Sequence, residues 1–307
     1  MKKLSIITPV YFNGLSLPGL FKELVKVEEE LRQRDLLLEM IFVDDGSKDH
    51  SLSELRKFKL EHDNVKIIKL SRNFGSMQAL RMGLKFVTGD AFTFLAADLQ
   101  EPPELVVEMV DKWLTGVKYI VCAREERKDP LITRFFSGLY YFLLRTFVVK
   151  DYPSGGYDLT LMDKALLPYM QESGKSANLL LHAHSLGYKS EVIRYKRRER
   201  ANGKSMWTFS KKLNFFIDSI LGSSILPLRY ASILGVTASI VSFLYGGFVI
   251  SNALFTSMPV PGWASLASLL SILFGIVIFM LGMIGEYIWR IFNEINGTPD
   301  AVIDEIY

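Results

Sequence analysis

From Tyr230 to Gly285, 56 consecutive residues, this 307-residue sequence contains no Asp, Glu, Lys or Arg. Soluble helices rarely run that far without a polar face, so a helical hairpin buried in a soluble core is disfavoured. Cysteine is almost absent as well. Cys122 stands alone, which excludes an intramolecular disulfide and fits a reducing compartment. No GxGxxG follows the first strand-like run, which disfavours a dinucleotide-binding Rossmann domain, and there is no P-loop. His182 and His184 lie in a helical stretch without metal-ligand companions and read as packing or surface residues. "MKKLSIITPVYF" does not read as a signal peptide, because its apolar run is short and leads into a domain.

What is present divides the chain in two. A spanning helix needs about 20 apolar residues, so the charge-free run is long enough for two. They are expected near 230–254 and 263–288, broken at "TSMPVPGW" (256–263), whose prolines and glycine suit a hairpin. Lys211, Lys212 and Arg229 precede the first span and Arg290 follows the second, which puts both ends in the cytoplasm. Residues 1–229 hold 35 Lys+Arg against 28 Asp+Glu. Nine of those cations and two acids fall in "KSEVIRYKRRERANGKSMWTFSKK" (189–212), a basic face beside the membrane. Such a face suits phospholipid headgroups or a phosphorylated lipid. No nucleic-acid module is recognisable, and nucleic acid is not expected as a partner.

The charged part alternates short apolar runs with helical stretches. "LSIITPVYF" (4–12), "LEMIFVDDGS" (38–47), "VKIIKLS" (65–71), "AFTFLAA" (91–97) and "YIVCA" (119–123) read as strands, with helical patterns between them. That alternation predicts an α/β domain with a mostly parallel central sheet. Ligands of such sheets sit at the carboxyl ends of the strands. There the sequence places Pro9 to Asn13, then Asp44 and Asp45, Arg72 and Asn73, Asp98, and Arg124, each after one strand.

"TPVY", "VDDGSKD", "LSRNFG", "ADLQEPPE", "SGGYD" and "GEYIWRI" occur in that order. Together with the paired spans they resemble the family 2 glycosyltransferases that load a sugar onto a polyprenyl phosphate. Bactoprenol glucosyltransferases and dolichol-phosphate mannose synthases are the nearest in pattern, and the resemblance covers almost the whole chain. It implies a nucleotide-diphosphosugar-binding domain of the GT-A type carrying a C-terminal two-helix transmembrane hairpin. The implied division is a cytoplasmic catalytic domain over 1–206, an interfacial amphipathic helix over 207–228, two spans within 229–290 and a cytoplasmic tail over 291–307. A second aromatic-rich segment, 132–149, also reads as interfacial.

The resemblance also assigns roles. Pro9 and Tyr11 would line the base pocket, Asp44 would read base and ribose with Asp45 assisting or capping the turn, and Arg72 would approach base or phosphate. Asp98 and Gln100 would hold Mg²⁺ or Mn²⁺ on the diphosphate; a hard cation of this kind takes oxygen ligands and shares them with phosphates. Asp158 is the implied catalytic residue, orienting the acceptor or stabilising charge on the sugar. Arg124, Arg200 and Ser205 would face the acceptor phosphate, with Arg200 also counted as catalytic. The family's Asp-Ala-Asp is here Ala96-Ala97-Asp98, Thr160 stands where some relatives have arginine, and Met206 where lysine is common.

The activity implied is inverting transfer from a nucleotide diphosphate sugar, UDP-glucose by default, to undecaprenyl phosphate. The product would be a lipid-linked monophosphate sugar for cell-envelope glycan modification. The implied setting is the inner (plasma) membrane, as a multi-pass protein and a homo-oligomer, with a tetramer consistent with relatives. Two other readings stay open. One is a catalytically weak nucleotide-sugar-binding membrane protein, motivated by Ala96 and Thr160. The other is a polysaccharide-extending transferase, against which the two spans and the missing Q-x-x-R-W signature argue.

Overall fold

The computed structural model describes residues 1–125, 131–149, 152–153, 156–175, 177–198, 219–222, 224–255 and 262–307. One eight-stranded sheet organises the N-terminal part, in the order β7-β5-β6-β4-β1-β2-β3-β8. Its strands are β1 (Lys2–Val10), β2 (Leu36–Asp44), β3 (Val65–Leu70), β4 (Ala91–Phe94), β5 (Tyr119–Arg124), β6 (Tyr157–Asp163), β7 (Ser190–Tyr195) and β8 (Ile303–Ile306). β1–β2, β1–β4, β2–β3 and β5–β7 pair in parallel, and β4–β6, β5–β6 and β3–β8 are antiparallel. The sheet is mostly parallel, as the strand–helix alternation predicts. β6, β7 and β8 were not legible as strands, and β6 separates β5 from β4.

Helices cover both faces. Because side chains alternate along a strand, Ile6 packs with α1 (Leu17–Arg32), α2 (Ser51–Glu61) and α4 (Leu105–Leu114), while Ile7 faces α3 (Ser76–Leu84). The same second face is completed by α5 (Leu131–Phe147), α6 (Leu167–Gln171) and α7 (Leu179–Ser185). α1 starts with Pro18 in its first turn and buries Leu17, Leu20, Phe21, Leu24, Val27 and Leu31 at helical spacing. Each such leucine contributes about 1.5–3 kcal/mol by leaving water. Phe21 stacks on Phe58 of α2 at 4.0 Å, and Phe42 of β2 meets both rings edge-on, which fixes the two helices over the strand.

The C-terminal part is two long helices, α8 (Leu226–Phe255) and α9 (Trp263–Ile295). Leu226–Asn252 and Leu269–Ile295 have mean hydropathies of 2.0 and 2.3, and their described large apolar side chains are exposed or half-buried. These helices are long and apolar enough to cross a membrane, and their described large apolar side chains are not packed into the core of the α/β domain. The wider term multi-pass therefore reduces to two candidate spans. Both helices contact the domain at one end. Phe147 of α5 meets Tyr230 edge-on at 5.5 Å, and the Lys175 backbone N–H donates to Glu294 at 3.0 Å. The chain then turns back, and β8 closes the sheet edge beside β3, where Lys69 pairs with Asp304 and Glu305. The expected tail thus contributes a strand to the N-terminal sheet. Most of the expected interfacial helix at 207–228, and the hairpin break at 256–261, lie outside the described residues.

Candidate active site

The carboxyl ends of β1 and β2 are stitched together by side chains. The Phe12 N–H donates to Ser47 Oγ at 3.2 Å, the Asn13 N–H to Ser51 Oγ at 3.0 Å, and the Gly14 N–H to Asp49 at 3.2 Å. Tyr11 is half-buried, and exposed Phe12, at φ 55°, meets it edge-on at 4.6 Å. A non-glycine residue held at positive φ marks a loop fixed by its surroundings. Pro9 lies beside Val43 in register and Val10 beside Asp44, so the residues expected at the base pocket sit on neighbouring strands.

Asp44 and Asp45 are 1% and 2% exposed. Burial pushes the Asp44 carboxyl above the ordinary carboxylate value; Asp49 and Asp45 add to the rise, and Ser47 contacts oppose it. Asp45 is also raised by burial, but both its oxygens are used: they accept the N–H groups of Phe74 (2.7 Å) and Gly75 (2.9 Å). Its observed role is to anchor the loop carrying Arg72, whose guanidinium lies exposed over the Phe74 ring at 4.5 Å. Gly46, at φ 68°, lets this loop close in, since a Cβ there would sit 2.6 Å from the Arg72 backbone.

Beyond β4, Asp98 and Gln100 are half-buried, and Asp98 accepts the Gln100 N–H at 3.2 Å across Leu99, which is at φ 59°. This short turn puts a carboxylate and an amide oxygen at one strand tip. Among the described residues no three His, Cys, Asp or Glu side chains gather as a metal site. Two hard oxygens fit a cation that borrows the rest of its shell from phosphates, and do not fit an all-protein cage.

Asp158 owes its placement to an irregularity. Cys122 pairs with Leu159 and Ala123 with Tyr157, so Asp158 is the extra residue of a β-bulge. On one side Tyr157 anchors it, buried and bonded to Tyr119 Oη (2.8 Å) and the Leu180 carbonyl (2.6 Å). Gly156, at φ 73°, admits the chain to β6, and a Cβ there would collide with the Tyr141 ring. The freed carboxylate accepts from Arg124 Nε and, at 3.1 Å, from Tyr195 Oη. Burial pushes the Tyr195 phenol well up, and the charges of Asp158 and Glu101 add to it.

Glu101 completes the cluster. It is 4% exposed and pairs with Arg197 at 3.1 Å. Burial pushes its carboxyl up to about 7; Arg197 opposes the rise, while Asp158 and Asp98 add to it. Asp98, Glu101, Arg124, Asp158, Tyr195 and Arg197 therefore form one electrostatic neighbourhood. Tyr195 and Glu101 were missed by sequence reasoning, as was the bulge. Thr160 is buried in the sheet and donates to the Ile120 carbonyl at 2.8 Å, so it does not reach the site. His184 is buried against Tyr119, Tyr152 and Tyr157, and His182 contacts the Tyr169 carbonyl. Cys122 is buried, which pushes its thiol up to about 12. Arg200, Ser205 and Met206 lie outside the described residues.

Residues 5–159 match the family described as Glycosyl transferase family 2. The chain is 34% identical over 305 residues to the uncharacterized glycosyltransferase YkcC of Bacillus subtilis, covering 99% of this chain and 94% of that one. It is 30% identical over 306 residues to the bactoprenol glucosyl transferase of Shigella phage SfII, covering 98% of this chain and 97% of that one. Among solved structures, the mannosyltransferase PcManGT from Pyrobaculum calidifontis, in complex with GDP-Man and Mn2+, is similar at a TM-score of 0.45 and 16% identity, over 91% of this chain and 87% of that one.

Proposed function

Because this chain belongs to glycosyl transferase family 2 and is a glycosyltransferase, we propose that it transfers a sugar from a nucleotide diphosphate sugar to a polyprenyl phosphate at a membrane. The observation that carries this reading is one arrangement: Asp158, Arg124 and Tyr195 meet at the sheet edge of a domain bearing two uncovered apolar helices. An acceptor whose tail stays in the bilayer needs a site tied to that bilayer and a cation for its phosphate. Arg124, held by Asp158, supplies the cation. The similarity to the bactoprenol glucosyl transferase over nearly the whole chain supports the same acceptor class and makes glucose the first donor to test.

The chain's own residues do the following in this account. Asp44 accepts from the base or ribose, and the loop anchored by Asp45 brings Arg72 to the nucleotide. Asp98 and Gln100 would hold a divalent cation, Mg²⁺ or Mn²⁺, whose charge would stabilise the leaving diphosphate. A phosphate acceptor is already ionised near neutrality and needs little general-base help, so Asp158 acts by orientation and charge. It fixes Arg124 toward the acceptor phosphate and faces the sugar ring as positive charge develops there. The acceptor oxygen attacks the anomeric carbon in one inverting displacement, and nucleoside diphosphate leaves. Positioning and electrostatics supply most of the barrier reduction. Arg200 and Ser205 are assigned to the acceptor phosphate, the catalytic domain to the cytoplasmic face of the inner membrane, and the assembly to a homo-oligomer, all on the family resemblance.

Purified protein, undecaprenyl phosphate, Mg²⁺ or Mn²⁺ and a panel of nucleotide sugars test the reading. Mass spectrometry is expected to find one lipid-linked monophosphate sugar, formed at about 10²–10³-fold lower kcat by Asp158→Asn. Nucleotide binding with no product from any donor would leave a binding protein instead.

A further inference from the structure

The site is built from strands that are not neighbours. β4 and β7 are separated in the sheet by β6 and β5, yet the loop after β4 carries Asp98 and Gln100, and the end of β7 carries Tyr195, the partner of Asp158. Three contacts in succession bridge them over the sheet edge. The Gln100 carbonyl accepts the Arg198 N–H at 3.0 Å, Glu101 Oε1 pairs with Arg197 Nη2 at 3.1 Å, and Glu104 pairs with Arg198. The two outer contacts are a backbone bond and an exposed ion pair. The inner one is different: Glu101 is 4% exposed and its carboxylate lies within range of Asp158, Asp98 and Arg124.

We propose that Glu101 is a positioning residue for the transfer reaction, clamping the cation-holding loop at Asp98–Gln100 to the end of β7 through Arg197, so that Tyr195 and Asp158 keep their distance from the donor diphosphate.

The pair is badly made for stability alone. Glu101 Oε2 and Arg197 Nε are both buried without a hydrogen-bond partner among the described residues. The Arg197 side chain is 30% exposed, so the pair is buried on the carboxylate side only, and a half-satisfied pair of this kind adds little to the stability of a fold. What it does provide is a fixed relation between two loops that the sheet does not connect. Misplacing reacting groups by about 1 Å can cost about 10²-fold in rate. The inference rests on the polyprenyl-phosphate reading above, which supplies the donor and acceptor whose spacing is at stake.

The test compares wild type, E101A, E101Q, R197A and E101A/R197A in the full-length enzyme, with undecaprenyl phosphate as acceptor, and measures kcat, both KM values and UDP affinity. E101A and R197A are each expected to lower kcat about 10–100-fold with UDP affinity unchanged within about twofold. The double variant is expected to be no worse than either single one, because all three break the same contact. E101Q keeps an oxygen that accepts from Arg197 and is expected to recover most of the rate. Wild-type kcat in E101A would overturn the proposal, as would losses that multiply in the double variant or a parallel loss of UDP affinity. If E101A does not fold, R197A and E101Q decide: wild-type kcat in R197A, or no better rate in E101Q than in R197A, overturns it. A wild-type enzyme that makes no lipid product overturns the functional reading and this one with it. Wild-type product with an unaffected E101A overturns this one alone.

Discussion

Replacing Asp45 by alanine should loosen the nucleotide side of the site without touching a ligand. Its two carboxylate oxygens accept from Phe74 N–H at 2.7 Å and Gly75 N–H at 2.9 Å. Hydrogen bonds to a charged group contribute about 1.5–3 kcal/mol each, so the pair supplies about 3–6 kcal/mol. Burial of the ionised carboxylate, which raises its pKa, offsets part of that. A net loss of about 2–4 kcal/mol is expected, lowering the thermal midpoint by on the order of 10 °C. Asp45→Asn keeps one acceptor oxygen and should lose about half as much. Arg72 rides on the same loop, so UDP affinity should fall in the same order: wild type, Asn, Ala. Differential scanning fluorimetry and calorimetric UDP titration in detergent check both quantities. An Asp45→Ala protein with the wild-type midpoint and UDP affinity would refute the reasoning.

Tyr195→Phe removes one of the two donors seen on Asp158 while leaving the ring in place, and kcat/KM for the lipid acceptor should fall about tenfold. Because burial raises the folded-state pKa of Asp44, its ionised form costs stability at neutral pH, and that cost disappears as pH falls through the raised value. Nucleotide binding uses the ionised form and runs the opposite way. UDP affinity should weaken on acidification at a higher pH than an exposed aspartate would give, and Asp44→Asn should raise the thermal midpoint of the nucleotide-free enzyme while binding UDP weakly with no such acid limb. Chelation by EDTA should stop turnover and added Mg²⁺ or Mn²⁺ restore it, while Asp98→Ala should need more metal for half-maximal rate.

Much of the site was legible because strands ending in polar groups announce an edge. Asp44, Asp98 and Arg124 each follow an apolar run, and those runs become strands of one sheet, β5 separated from β4 by β6 and β4 from β2 by β1. Asp158 was legible from its motif but not its mechanics, since a bulge depends on the register between β5 and β6 and leaves no local signal. β7 was hidden by composition. Ile193 and Tyr195 are buried at period 2 between exposed Val192 and Arg194, but the surrounding cations read as a membrane face. The importance of Glu101 comes from Arg197, 96 residues away, and no pattern within "DLQEPPE" points to it. β8 is four residues long with two acids, and only its partner β3 makes it a strand.

The measurement that bears most directly on the central claim is the release of nucleoside diphosphate against lipid product. Protein in lipid vesicles would receive UDP-glucose and the divalent cation, with undecaprenyl phosphate, with undecaprenol, or with neither. The account predicts that UDP and undecaprenyl-phosphate-glucose appear one for one, and that neither appears without the lipid phosphate. If another sugar is the donor, its nucleotide and its lipid adduct should obey the same ratio. UDP released at the same rate in all three vesicle preparations, or sugar attached to an acceptor other than the lipid phosphate, would contradict the account.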